Sequence, residues 1–226
     1  MASDSARHDL LVYDSDQQYA EALVPFFEAG LDEGDALVAV PGRATEPLLR
    51  DALGATSERV AFSACEDWYT RPEAVLAGYD AAVRASLRDG FRGVRVAGEV
   101  PFCSSRHEWD SWVLYEAILN RAFADRPVSI MCTYDSRVVP EHMIESARHT
   151  HPHVVSDDRQ ENPDYHDPAA VVRGIAPEPE PLPELHDVLA DGDARALRGT
   201  LSRELADAGV ATDQAEAMVL AASEVA

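Results

Sequence analysis

The chain reads as an α/β protein built on a mostly parallel sheet with helices on both faces. Three observations predict this. Apolar runs at residues 10–13, 36–40, 60–63, 94–97 and 128–133 show little polar alternation, the pattern of strands covered on both sides. Stretches with an apolar stripe at helical spacing lie between those runs. The strand–helix–strand order repeats across residues 8–155, which implies right-handed crossovers within one layered domain.

After the first strand, Ser15 and Gln18 have the spacing of a capping box, and Gly30 suits the far end of the helix they open. Thr70 with Glu73 makes a second box, ahead of a stripe of Val75, Leu76, Tyr79, Val83 and Leu87 that Gly90 stops. Pro140 opens a helix with Met143, Ile144 and Ala147 on its apolar face. The composition then changes. Between residues 156 and 193 stand eleven acidic residues, with only Arg159 and Arg173 as bases, and prolines alternate at Pro177, Pro179, Pro181 and Pro183. Such a run favours extended polyproline chain stiffened by its like charges, so residues 156–183 are expected to be an acidic linker. Asp191 or Asp193 can then cap a helix running to about Ala208, with Gly209 as its stop. Thr212 caps another, on which Ala215, Met218, Val219, Ala222 and Val225 share a face. Two short helices do not bury a core by themselves, so residues 184–226 are expected to open a larger domain of a longer protein.

Nineteen basic residues against 41 acidic ones leave a net charge of −22. That field repels phosphate backbones and anionic lipid, so neither nucleic acid nor a membrane is an expected partner. No apolar run reaches the ~18 residues of a spanning helix, and the first residues lack the core of a signal peptide, so a cytoplasmic address is expected. Every basic residue is Arg. The lack of Lys excludes Schiff-base chemistry, a Lys general base and the phosphate-gripping Lys of a P-loop. Cys65, Cys103 and Cys132 are too widely spaced for a zinc knuckle or a disulfide framework.

Five motifs stand at chemically informative places. The turn Val40-Pro41-Gly42-Arg43-Ala44-Thr45 follows a strand as a phosphate loop would, but it has one Gly and no Lys; it reads as a plain turn that has lost its nucleotide chemistry. Glu99 follows the fourth strand, where open α/β sheets place ligands, and can either bind one or cap the next helix. Trp112, Glu116 and Asn120 stack at i, i+4 spacing on one side of a helix, next to Tyr115. They form either core with capping groups or a pocket wall, and a buried Glu116 needs a partner in both cases. Cys132, with Tyr134, ends the last strand, as a buried thiol or as a ligand contact. His149, His151 and His153 alternate, but Pro152 breaks any regular ladder, and no metal ligand is assigned to them.

Several of these pieces, in this order, resemble the MEDS (methanogen/methylotroph sensory) domain. They are residues 8–13, the segment from Pro25 to Leu31, Gly93 to Glu99, Tyr115 to Asn120, Cys132 to Asp135 and the His151-Pro152 ending; the resemblance covers residues 8–155. It implies a RecA-like sheet related to clock ATPases that senses small molecules such as hydrocarbon derivatives. Residues 194–226 are similar to the opening of the GHKL ATPase domain of anti-sigma serine kinases, where Glu224 aligns with the N-box Glu. The Mg²⁺-binding Asn and the glycine-rich boxes of that family lie beyond Ala226. No catalytic residue or cofactor is therefore assigned to this chain, and ATP and Mg²⁺ are implied only for the remainder of such a domain.

The expectation is a cytosolic signalling protein. Its sensory domain would take a small, partly apolar molecule at the carboxyl ends of the strands, through His8, Tyr13, Glu99, Trp112, Tyr115, Glu116, Cys132 and Tyr134. Its carboxy-terminal module would hold a sigma factor or act on an anti-sigma antagonist, and a homodimer is compatible with the sequence. The alternative is an enzyme using Glu99 as base with His8, His107 or Cys103, although no nucleophile–base pair sits at a diagnostic spacing.

Overall fold

The computed structural model describes residues 6–100, 106–175 and 194–207, with seven further positions between 209 and 219; the side chains of residues 106–108 and 194–198 lie outside that description. The chain divides into two compact units, Met1–Ala176 and Pro177–Ala226.

The first unit runs β1 (Arg7–Tyr13), α1 (Asp16–Glu33), β2 (Ala36–Val40), α2 (Thr45–Leu53), β3 (Val60–Phe62), α3 (Cys65–Trp68), α4 (Pro72–Arg88) and β4 (Val94–Glu99). It continues with α5 (Arg106–Ala122), β5 (Val128–Asp135), α6 (Glu141–Thr150), β6 (His153–Val155), β7 (Arg159–Glu161) and α7 (Pro168–Ile175). The strands form one sheet in the order β3-β2-β4-β5-β1-β6-β7, parallel throughout except for the β6–β7 pair. The expected mixed α/β architecture, mostly parallel and flanked by helices, is the one present.

Alternation along the strands sorts side chains to two faces. Leu11, Tyr13, Leu37, Ala39, Ala97 and Met131 pack with α1 and α2. Leu10, Val40, Val94, Val96, Ile130, Cys132 and Tyr134 pack with α4, α5 and α6. The chain moves in one direction across the sheet beneath α1 and α2, and back beneath α4, α5 and α6. Opposite directions on opposite faces of a parallel sheet give every crossover the same hand, as right-handed βαβ winding requires.

Several local expectations hold. Ser15 Oγ accepts from Gln18 N, while Gln18 Oε1 accepts from Asp14 N. Gly90 (φ 92°) follows the end of α4, and Pro140 precedes a helix that buries Met143, Ile144 and Ala147. Others need correction. Gly30 does not end α1; the helix runs on to Gly34, whose φ of 81° makes the left-handed cap. Gly30 is there because a Cβ would lie 2.4 Å from Cδ of Arg95, a buried side chain that donates to Phe26 O, Glu33 and Asp35 beneath the helix. Thr70 does not cap α4, which starts from Arg71 with Pro72 in its first turn and no side-chain cap. Leu87 lies off the buried stripe, 41% exposed.

Part of the segment expected as linker is folded. Residues 156–175 carry β7 and α7, and α7 packs on α5 and α6. Arg159 donates to the buried Asp9 carboxylate at 2.8 and 3.0 Å, and Asn162 donates to Arg148 O and His151 O at 2.6 and 2.7 Å.

In the second unit, α8 (Ala194–Asp207) ends as expected. Gly209 has φ 73°, and the N–H groups of Gly209 and Val210 return to Ala206 O and Leu205 O. Thr212, Ala215, Met218 and Val219 have helical backbone. Asp191, Asp193, Ala222, Glu224 and Val225 lie outside the described residues. Among the described residues, no helix is long and apolar enough to cross a membrane.

Candidate functional site

Between the sheet and the pair α5–α6, four buried side chains from distant parts of the chain meet: His8, Glu116, Cys132 and His151. Strand register explains two of them. His8 lies opposite Ile130 and Leu10 opposite Cys132, so His8 and Cys132 sit on one face of adjacent parallel strands. Glu116 reaches them from the middle of α5, on the side it shares with Trp112 and Asn120. His151 caps the C-terminus of α6 with extended backbone (φ −110°, ψ 119°), which turns its ring inward.

The contacts are short. Glu116 Oε2 lies 2.9 Å from His8 Nε2 and 3.5 Å from His151 Nε2. Cys132 Sγ lies 3.4 Å from His8 Nε2 and 3.7 Å from Glu116 Oε2. The two imidazoles have centroids 4.0 Å apart, and the Tyr134 hydroxyl donates to Glu116 Oε1 at 3.5 Å.

An outer ring of hydrogen bonds holds the imidazoles. Asn120 Nδ2 donates to Thr150 O at 2.7 Å and Glu116 O at 3.2 Å, which turns its Oδ1 toward His8 Nδ1 at 3.1 Å. His151 Nδ1 lies 2.7 Å from Ala147 O. The last turn of α6 would otherwise expose unpaired carbonyls. Thr150 Oγ1 and His151 take Ala147 O, Asn162 takes Arg148 O, His166 N takes His149 O, and Asn120 takes Thr150 O. The helix end that delivers His151 is thus pinned from α5 and from the chain after β7.

Burial governs the protonation states. It pushes the Cys132 thiol well up, reinforced by the Glu116 charge, and it pushes His151 down to about 3, helped by the charge of His8. Burial also pushes Glu116 upward, but hydrogen bonding from His8 and the electrostatic pull of the His151 and His8 rings outweigh it, leaving this carboxyl below its ordinary range.

Beside the cluster stands an aromatic wall. Cys132 pairs with Gly98, where a Cβ would lie 2.1 Å from the Tyr69 hydroxyl, so the missing side chain makes room for that phenol. Tyr69 packs edge-on against Trp112, which packs edge-on against Tyr115. The hydroxyls of Tyr69, Tyr79 and Tyr115 and the indole N–H of Trp109 are buried, and none has a hydrogen bond of good geometry among the described residues. Burial raises all three phenols well above their ordinary range, so they stay protonated.

Comparison with known families decides what kind of domain carries this site. Residues 7–152 match the family described as MEDS, the methanogen/methylotroph, DcmR sensory domain. The chain belongs to the MEDS family. Its MEDS domain gives the protein a sensory, signalling role. No curated protein matches the chain. Among solved structures it is similar to a unique ATP synthase subunit, NeqB, from Nanoarcheaum equitans, with 8% identity and a TM-score of 0.38 over 92% of this chain and 59% of that one. The chain thus spans less than two thirds of that subunit's length.

Of the eight residues expected to bind a ligand in the MEDS domain, six lie on the α4–α5–α6 face: His8, Glu116, Cys132 and Tyr134 at the cluster, with Trp112 and Tyr115 in the wall. Tyr13 and Glu99 lie on the opposite face, against α1 and α2. There the Glu99 carboxylate accepts from Gly42 N at 3.0 Å and from the Thr45 hydroxyl, at the turn where a phosphate loop would seat its anion. Glu99 and His8 are therefore not brought together, and the side chains of Cys103 and His107 lie outside the described residues. The three alternating histidines also part: His149 stacks on His166 at 4.3 Å, His153 faces Asp9, and only His151 joins the cluster. The sequence signals for His151 and Asn120 were an imidazole next to Pro152 and an amide one turn after Glu116.

Proposed function

We propose that the MEDS domain receives a small, partly apolar molecule at the aromatic wall of Tyr69, Tyr79, Trp109, Trp112 and Tyr115, next to Glu116 and Cys132. The observation that carries this is the set of buried aromatic hydroxyl and indole groups that make no hydrogen bond of good geometry among the described residues. An unpaired buried donor costs ~1–3 kcal/mol, and a small molecule with one polar group relieves that cost while its apolar part meets the rings. The identity of the ligand is left to its class, a short hydrocarbon derivative bearing an oxygen or a halogen.

All three tryptophans of the chain, Trp68, Trp109 and Trp112, belong to this face, so indole fluorescence reports on this side of the sheet. Titration with short alcohols and short halogenated alkanes tests the site. Saturable quenching or a saturable shift, weakened in Tyr115→Phe, is expected. A linear response identical in Tyr115→Phe and the wild type rejects it.

Residues 184–226 form the output in this reading, as the opening of a GHKL-type ATPase module that engages a sigma factor or its antagonist. The similarity of residues 194–226 to anti-sigma kinases is what supports it. A ligand switches such a module only by binding two states unequally. Hydrogen exchange in residues 194–219, measured with and without a ligand that shifts the indole fluorescence, tests the coupling. Unchanged exchange across that stretch rejects it.

A further inference from the structure

We propose that His8, Glu116, Cys132 and His151 bind one divalent transition-metal ion of the zinc class, through His8 Nε2, Glu116 Oε2, Cys132 Sγ and His151 Nε2. This stands independently of what the aromatic wall receives.

A carbonyl oxygen only accepts, so the contact of His151 Nδ1 with Ala147 O puts the ring proton on Nδ1. Asn120 spends its amide hydrogens on two carbonyls, so its Oδ1 accepts and His8 Nδ1 is also a donor. When neutral, each ring therefore turns the lone pair of Nε2 toward a carboxylate oxygen that is itself an acceptor. One proton shared by His8 and Glu116 satisfies the 2.9 Å contact but leaves His151 Nε2, fully buried, with no hydrogen-bond partner among the described residues. A single cation satisfies all four groups at once.

The dimensions agree. Bonds of about 2.0–2.1 Å to nitrogen and oxygen and about 2.3 Å to sulfur, at tetrahedral angles, separate ligand atoms by about 3.3–3.6 Å. Four separations here are 2.9, 3.4, 3.5 and 3.7 Å, and all four atoms lie within 4.8 Å of one another. Two imidazoles, a thiolate and a carboxylate suit zinc and its neighbours, not Mg²⁺ or Ca²⁺. The charges also balance, because a divalent cation with one thiolate and one carboxylate is neutral, as a centre exposed by no more than 4% requires. Both histidines already donate their remote N–H to an oxygen, the outer-shell arrangement of metal-bound imidazole.

On binding, the ion forms the metal–sulfur bond as the Cys132 thiol proton leaves to solvent, together with any proton held between His8 and Glu116. With four protein ligands there is no coordination site for water, so the ion ties β1 and β5 to α5 and the end of α6 and does not activate a nucleophile.

The test uses the full chain, stripped with a chelator and titrated with Co²⁺. One equivalent is expected to give the strong visible bands of tetrahedral cobalt and a near-ultraviolet thiolate-to-cobalt band, both erased by one equivalent of Zn²⁺. Cys132→Ser should lose the thiolate band, while Cys65→Ser and Cys103→Ser keep it. Asn120→Ala, whose side chain is not a ligand, should keep both bands with affinity lowered at least ~10-fold, which separates the outer shell from loss of the fold. Folded wild-type protein that takes up no Co²⁺, gives only weak octahedral bands, or matches Cys132→Ser in spectrum overturns the site. Protein that takes up no metal yet answers alcohols saturably would refute the metal and leave the sensory role standing.

Discussion

Asn120 is where the arrangement can be tested by stability alone. Its side chain joins three elements: α5, which carries it, the end of α6 through Thr150 O at 2.7 Å, and β1 through His8 Nδ1 at 3.1 Å. Asn120→Ala strands the last two groups, both in buried residues. Each stranded buried group costs ~1–3 kcal/mol. The third bond, to Glu116 O, adds nothing, because that carbonyl keeps its helical partner. Asn120 is half-buried, so water can replace part of what is lost, which favours the lower end of the range. Alanine returns roughly half a kcal/mol through its higher helix propensity. The net loss is about 1.5 kcal/mol. Urea unfolding followed by tryptophan fluorescence measures it, since all three indoles lie in the first unit, and the midpoint should fall with the m-value unchanged. A loss below ~0.5 kcal/mol would show that α6 and His8 are not held through this amide.

Three further outcomes are expected. Gly78→Ala in α4, where a Cβ meets nothing within 4 Å among the described residues, should stabilise by ~0.5–1 kcal/mol, whereas Gly30→Ala should destabilise by ~1–3 kcal/mol, because its Cβ would fall against the pinned Arg95 side chain; urea midpoints decide. Glu99→Gln should cost ~1–2 kcal/mol, as charge-assisted bonds from Gly42 N and the Thr45 hydroxyl become neutral ones, read by the same assay. Asp135 should show a definite pH dependence. Hydrogen bonding from Arg137 holds its carboxyl below the ordinary 3.8, so as pH falls the unfolded chain takes the proton first. The stabilisation is complete above about 3.8 and is lost as pH falls through the lower folded value. Arg137 is partly exposed, so the Asp135→Asn penalty should be only about 1 kcal/mol at pH 6 and should fade below pH 4 in unfolding curves.

Much of this was legible in the sequence because it is periodic. Alternation along 128–135 puts Cys132 and Tyr134 on one face, and the i, i+4 step puts Glu116 between Trp112 and Asn120; the structure keeps both. The division of the eight ligand candidates was not legible. Period two also separates Tyr13 from His8, and Glu99 from Gly98, but which face receives α5 depends on the direction in which each crossover runs. His151 was hidden for a different reason. Its two-residue spacing from His149 and His153 implies a shared face only on a strand, and the backbone there is a helix end followed by Pro152. Gly30 shows the limit of punctuation, since a glycine that admits a crossing arginine looks the same as one that ends a helix. Residues 156–175 read as linker from their acidity, yet Asn162 and α7 bind them to α5 and α6, contacts that composition does not encode.

The central claim is that the buried meeting of His8, Glu116, Cys132 and His151, beside the proposed ligand wall of the MEDS domain, is built for a metal ion. Anomalous X-ray scattering from crystals of the full chain grown with Zn²⁺, recorded on both sides of the zinc absorption edge, tests it most directly. The account predicts one strong peak bonded to Cys132 Sγ and to the two Nε2 atoms, with Glu116 completing a tetrahedron. Well-ordered density for all four side chains, a hydrogen-bond-length contact between His8 and Glu116 and no peak among them would contradict it.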